Sequence, residues 1–290
     1  MNIKNKDCFE YIKKLKDQSI HSIITDPPYF LDSMCNEWSA HKRRVSSPTI
    51  TNLPSGMKFD TRQSLKLEEF MYQLGLESMR ILKPGGFLIA FSAPRLYHGL
   101  AKGLERAGFE IREQLVWSYK QSQVKAMRMD HFIDKCKFIA KSRKAKIKRL
   151  LKNHRTPQIR TLFEPICVAM KPLPKGMTFV HNWSINNTGL LYVPPERSFP
   201  TSILEYSKPN REEKKNNHHP TVKPIDLMKD LIEWFCPHNG NLLDPFLGSG
   251  TTAVATKLLN KEKGYEINMF GCEKNKEYYK IIKQRIKKAK

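Results

Sequence analysis

The chain has 290 residues, 40% of them apolar, which is enough for one catalytic-sized domain with a packed core and an appended segment. No run approaches the roughly 18 consecutive apolar residues of a membrane span, and residues 1–14 lack the apolar centre of a signal peptide, so a cytoplasmic protein is expected. Fifty-one Lys and Arg against 28 Asp and Glu leave a net charge of +23, which suits a polyanionic partner, above all nucleic acid.

In chain order, residues 19–26 read as a buried strand that runs into Asp-Pro-Pro. Residues 65–82 carry apolar side chains at helical spacing and stop at Lys83-Pro84-Gly85-Gly86, a helix terminator. Residues 87–91 form a second buried strand, 96–107 a helix ended by Gly108, and 110–119 a third strand. Residues 125–152 are helical in pattern and strongly basic: between Lys120 and Arg160 there are 14 basic residues and two acidic ones. Another strand is expected over 164–172. Residues 173–218, rich in Pro, Asn, Gly and Ser, are expected as loops or short strands in a separate small unit. The rest reads as helix 224–236, strand 241–246, helix 251–259, strand 269–273 and helix 276–288. Strands alternating with helices predict an α/β fold, a parallel sheet with crossover helices.

Two short segments carry chemistry. In the first, Leu242-Leu243-Asp244-Pro245-Phe246-Leu247-Gly248-Ser249-Gly250-Thr251-Thr252, a buried strand enters a glycine turn and then a helix. Glycines let the backbone approach a ligand and take positive φ. Such a turn at the carboxyl end of a parallel strand is where open α/β sheets bind ligands. Glu273 ends the next strand, where a carboxylate can bond both ribose hydroxyls of a nucleoside cofactor. Neither GxGxxG nor a phosphate-loop GK[ST] is present, so NAD and ATP fit less well.

In the second segment, Asp26-Pro27-Pro28-Tyr29, the two prolines fix the backbone and remove two N–H donors, leaving carbonyls as acceptors beside the Asp26 carboxylate. Acceptors that grip both N–H bonds of an aromatic amine favour a pyramidal nitrogen, whose lone pair can meet an electrophilic methyl. Tyr29 offers a face on which an extruded base can stack, worth roughly 1–3 kcal/mol, against a few kcal/mol for extrusion.

A third feature is basic. Lys125, Arg128, Lys141, Lys144 and Lys148, among others, recur often enough to cover most faces of a helix and grip phosphates without reading sequence. The loop of residues 30–61 adds Trp38, Lys42, Arg43 and Arg44, and is expected to order over DNA. Six cysteines stand singly, without zinc-knuckle spacing, and no metal is expected.

Asp26-Pro27-Pro28-Tyr29 with Asp244-Pro245-Phe246-Leu247-Gly248-Ser249-Gly250 resembles the amino-group DNA methyltransferases, which act on N6 of adenine or N4 of cytosine. Residues 3–7 and 19–29, Leu82 to Gly86, Gly108-Phe109 with Trp117, and His219 to Pro224 extend the likeness over about two-thirds of the chain. The catalytic turn precedes the glycine loop, the order of the permuted class called beta. The resemblance implies a Rossmann-like S-adenosyl-L-methionine-dependent sheet of the prophage or restriction–modification type, bacterial or phage-encoded. It implies that Asp26, Pro27, Pro28 and Tyr29 hold the target base, and that Asp244, Phe246, Gly248, Ser249, Gly250 and Thr251 line the cofactor site. Glu273 would take the ribose, Asp7 the adenine, and Lys223 with Thr221 would lie near the methionine end. The catalytic core would comprise 1–119, 161–172 and 219–290, with 120–160 as a basic DNA-binding insertion and 173–218 as the target-recognition segment. Partners would be duplex DNA, a cognate restriction endonuclease and, in a homodimer, a second copy. Asp at position 26 tilts the choice toward adenine over cytosine. A cytosine-C5 enzyme would need a Pro-Cys dipeptide, and the chain has none.

Overall fold

The computed structural model describes residues 1–29, 62–124, 126–211, 213, 217, 219 and 221–289. Its elements are β1 (Asn2–Lys4), α1 (Cys8–Ile12), β2 (Ile20–Thr25), α2 (Arg62–Ile81), β3 (Leu82–Phe91), α3 (Tyr97–Arg106), β4 (Glu110–Ser118), α4 (Asp130–Lys135), α5 (Lys141–Leu150), β5 (Phe163–Met170), α6 (Phe179–Asn186), β6 (Ile203–Glu205), α7 (Ile225–Phe235), β7 (Asn241–Asp244), α8 (Thr251–Lys263), β8 (Asn268–Cys272) and α9 (Lys276–Lys288). Eight strands form one sheet in the order β1-β8-β7-β2-β3-β5-β4-β6.

Helices cover both faces, and the strands show it residue by residue. Phe87, Ile89 and Phe91 join one buried cluster with α7 and α8, while Leu88 and Ala90 join the other with α2 and α3. All six residues of β2 are buried, as a central strand covered on both faces requires. The chain leaves β2 towards β3 on one side and returns in β7 on the other. The carboxyl ends of β2 and β7 therefore lie side by side at the switch point of the sheet, where a crevice opens.

The strand–helix alternation predicts a parallel sheet, but the observed sheet is mixed. β5 runs antiparallel to both β3 and β4. Residues 119–162 leave β4 and re-enter at the same sheet edge, with Tyr119 N donating to Leu162 O at 3.0 Å, and no helix crosses back over the sheet between them. A return from the same edge can only run antiparallel.

The expected long basic helix is two short ones. α5 buries no side chain and α4 buries only Ile133, so neither has an apolar face to extend it. They are clipped together at Asp134, whose carbonyl accepts from Lys144 at 2.6 Å and whose carboxylate pairs with Lys148 at 2.7 Å. Nor do residues 173–211 stand apart as a separate unit. β6 adds to the outer edge of β4, which offers unpaired backbone groups. Asn182 of α6 is fully buried and donates to the carbonyls of Pro84 and Thr188 at 3.1 and 2.9 Å. Lys83 to Gly86 end α2 as read, but as a bulge inside β3: Ile20 pairs with Leu82 and Ser22 with Phe87. Among the described residues, no helix is long and apolar enough to cross a membrane.

Candidate active site

Four strand ends meet at the crevice: β2 leads to Asp26, β7 to the glycine loop, β8 to Glu273 and β1 to Asp7. Thr25 Oγ1 donates to Asp244 Oδ1 at 2.7 Å and ties the ends of β2 and β7 together.

Behind β2, the Tyr29 hydroxyl donates to Asp26 Oδ1. Burial, and then the Asp26 charge, push the phenol well above its ordinary value and keep it a donor. Asp26 Oδ2 accepts from Lys223 Nζ at 2.5 Å. Lys223, expected beside the methionine end of a cofactor, lines the cavity with its ammonium on the Asp26 carboxylate. Burial works against that ammonium, but Asp26 and Glu164 outweigh it and hold the amine above its ordinary value.

The glycine loop is shaped from beneath. Asp244 is buried and accepts from Thr25, from Phe246 N at 3.0 Å and from Thr252 Oγ1 at 2.6 Å. Its carboxylate, pushed up to about 6 by burial, is spent on the loop itself. Gly248 has φ +53°, and a Cβ there would stand 2.7 Å from His219 Nε2. Its N–H donates to Glu273 Oε2 at 2.9 Å, while Asn275 N donates to Oε1 at 2.7 Å. Glu273 is held above its ordinary carboxyl value, chiefly by burial. Ser249 is buried and bonded to Asn217 and Arg285, each at 3.0 Å.

Both turns open into one cavity of about 520 Å³. Its wall includes Asp26, Pro27, Pro28 and Tyr29 of the proline turn with Lys223 beside them, together with Asp7, Asp244, Phe246, Gly248, Ser249, Thr251 and Glu273. Gly250 alone of the expected loop residues is not on the wall; at φ +84° it caps α8 and packs against Ile282. Sequence reading missed Phe9 and Phe70, whose rings lie 5.8 Å apart, with Phe70 also 5.8 Å from Phe246. It also assigned no role to His219 or Tyr278, which line the cavity 4.7 Å from one another. His219 is lowered to about 4 by burial, so its ring is neutral.

Among the described residues, the expected DNA-binding residues Arg128, Lys141, Lys144 and Lys148 do not line the cavity. Arg128, Lys141, Lys144 and Lys148 stand on the insertion that hangs from β4 and β5 at this same sheet edge. Arg128 pairs with Asp130 at 2.9 Å. Lys42, Arg43, Arg44 and Lys125 lie outside the described residues.

Residues 20–284 match the N6_N4_Mtase family model, described as DNA methylase. The type II methyltransferase M.HindIII of Haemophilus influenzae is 28% identical, covering 96% of this chain and 97% of its own length. The M1.HpyAVI–SAM complex superposes with a TM-score of 0.56 at 21% identity over 98% of each chain. The cytosine-N4-specific PvuII DNA methyltransferase does so at 0.59 and 15% identity, over 98% of this chain and 85% of its own. These two structures show a common fold, the Rossmann-like sheet of DNA methyltransferases. With a family model spanning nearly the whole chain and both turns facing one cavity, this protein belongs to the amino-group DNA methylase family.

Proposed function

We propose that the protein transfers a methyl group from S-adenosyl-L-methionine to N6 of an adenine flipped out of duplex DNA, within a short recognition sequence. The observation that carries this reading is the shared cavity: the proline turn and the glycine loop both line it. Its volume of about 520 Å³ lies in the range of small-molecule sites. Gly248, at positive φ with the His219 ring against it, lets the loop backbone itself form the cavity wall, and Glu273 places a carboxylate at the adjoining strand end, so the residues fit a nucleoside-bearing cofactor.

The bound cofactor supplies a methyl group on positively charged sulfur. The chain supplies position and polarisation. Asp26, with lone pairs left over from Tyr29 and Lys223, accepts an N–H of the target amine. The carbonyls of the Pro27-Pro28 turn are the second acceptors. Tyr29 and the prolines bracket the base, and the strand ends behind them exclude water. The basic insertion of 120–160 grips the phosphate backbone, and residues 173–218 read the site. The order of turn and loop supports the permuted beta class. As a type II modification enzyme, the protein would protect its site from a cognate restriction endonuclease.

Incubating the protein with duplex DNA and labelled S-adenosylmethionine, then digesting to nucleosides, is expected to yield N6-methyladenine. N4-methylcytosine without N6-methyladenine would reassign the base and keep the amine chemistry. Asp26→Ala should remove most turnover, by about 100-fold or more, and leave cofactor and DNA binding nearly intact. Loss of cofactor affinity with an unchanged rate would show that the roles of the two loops are exchanged.

A further inference from the structure

Lys223 is 6% exposed and is held between two carboxylates that come from distant parts of the chain. Its Nζ lies 2.5 Å from Asp26 Oδ2, 3.3 Å from Glu164 Oε2 and 4.9 Å from the centre of the Phe91 ring. Glu164 is the second residue of β5, the antiparallel strand, and reaches this point because β5 re-enters at the active-site edge. Its Oε2 is buried and makes no well-aligned hydrogen bond; the ammonium is its charge partner. A buried ammonium needs compensation, and one carboxylate is enough to neutralise it. The second leaves the cluster with one negative charge in excess.

We propose that Lys223 and Glu164 are positioning residues that fix Asp26 as an ionised acceptor and give the site a net negative charge matched to the reaction. This rests on the reading of Asp26 as the acceptor of the target amine. Tyr29 and Lys223 each take one lone pair from a different Asp26 oxygen, so the carboxylate cannot rotate freely. The amine nitrogen forms the new C–N bond with its lone pair, and the C–S electron pair stays on sulfur. The nitrogen then carries the positive charge until it releases one N–H proton to water. Methyl transfer thus moves the positive charge from sulfur onto the nitrogen held by Asp26, where it stays until the proton leaves, and a cluster of charge −1 favours that movement where a neutral pair would not. Without the ammonium, nothing screens Asp26 from Glu164, and Asp26 Oδ2 loses the donor that holds it in place.

Among the described residues, the other titratable groups facing this cluster are Tyr29 and Tyr119, both pushed up by burial, His219, lowered to about 4, and Asp244, pushed up to about 6. They are common to every variant below.

The test compares methylation rates from pH 4.5 to 9, cofactor affinity by calorimetry, and melting, for wild type, Lys223→Met, Lys223→Arg, Glu164→Gln and Asp26→Ala. Lys223→Met is expected to lower kcat by about 100-fold, the scale of a misplaced reacting group, and to move the acid limb up by about one to three pH units. KM for the cofactor and its calorimetric affinity should stay within a few-fold, and Lys223→Arg should restore part of the rate. Glu164→Gln should lower kcat about tenfold and move the acid limb down, since it removes a negative charge and leaves the ammonium to Asp26 alone. Opposite movements of the limb are a signature that simple loosening of the fold does not produce. An unmoved limb in both variants, or movement in the same direction, would overturn the proposal. If Lys223→Met does not fold, Glu164→Gln decides: an unchanged limb overturns it. A fully active Asp26→Ala would instead sink the underlying reading of the turn, whatever the other variants do.

Discussion

Gly248 takes a left-handed backbone, and the His219 ring fills the space where its side chain would begin. Gly248→Ala must therefore hold an L-residue at positive φ, at about 1–2 kcal/mol, and push aside a half-buried imidazole. Cofactor affinity should fall by about tenfold or more, with a lower melting temperature; unchanged calorimetric binding would show that the loop can yield. Glycine and the Asp-Pro-Pro turn were legible in the sequence because their backbone chemistry is local. Phe9, Phe70, Glu164 and His219 were not. Phe70 occupies an apolar position on amphipathic α2, and Glu164 begins a strand; each acquires its place only when separate strand ends converge. Lys223 was singled out, but its partner was not, since 197 residues separate it from Asp26.

The two short helices of the insertion change which lysines are free to meet phosphate. Lys144 and Lys148 hold α4 to α5 through Asp134, and the Asp134 carboxyl is held below its ordinary value by the Lys148 hydrogen bond. Lys141, Arg143 and Lys146 are exposed on the same helix. Neutralising these three should weaken binding to all duplexes alike and reduce the salt slope by up to about 3, with the melting temperature unchanged. Selective loss at one sequence would mean that α5 reads bases. Periodicity and capping residues located the core elements to within a few positions, from β2 through α9. They failed where no apolar stripe exists, as in α5, and where an edge pairing decides the outcome, as in β6.

The sheet as a whole ties stability to pH at the end opposite the cavity. His21, at the start of β2, accepts from Asn241 N at 2.9 Å and sits 2.9 Å from Lys83 Nζ. Burial, and then Lys83, hold its ring down to about 4, against 6.5 ordinarily. Between those values the unfolded chain binds the extra proton, so this residue withdraws stability as pH falls. His21→Gln keeps an acceptor for Asn241 and loses the titration. Its melting temperature should therefore decline less steeply than that of the wild type from pH 6.5 to 4, as read by calorimetric scans; parallel curves would rule His21 out. The α/β class followed from alternation alone, but the reversed β5 did not, because the direction of a returning strand depends on where the intervening chain is parked.

That reversal has a consequence for how such a molecule can diversify. β4 and β5 are the two arms of one hairpin, and 119–162 is its tip, closed at the base by the hydrogen bond from Tyr119 N to Leu162 O. A tip can lengthen, shorten or be exchanged for another without changing the pairing of the arms beneath it. Appendages of different length and sequence can thus be mounted on one sheet, each arriving at the cavity end of the strands with the ladder already aligned.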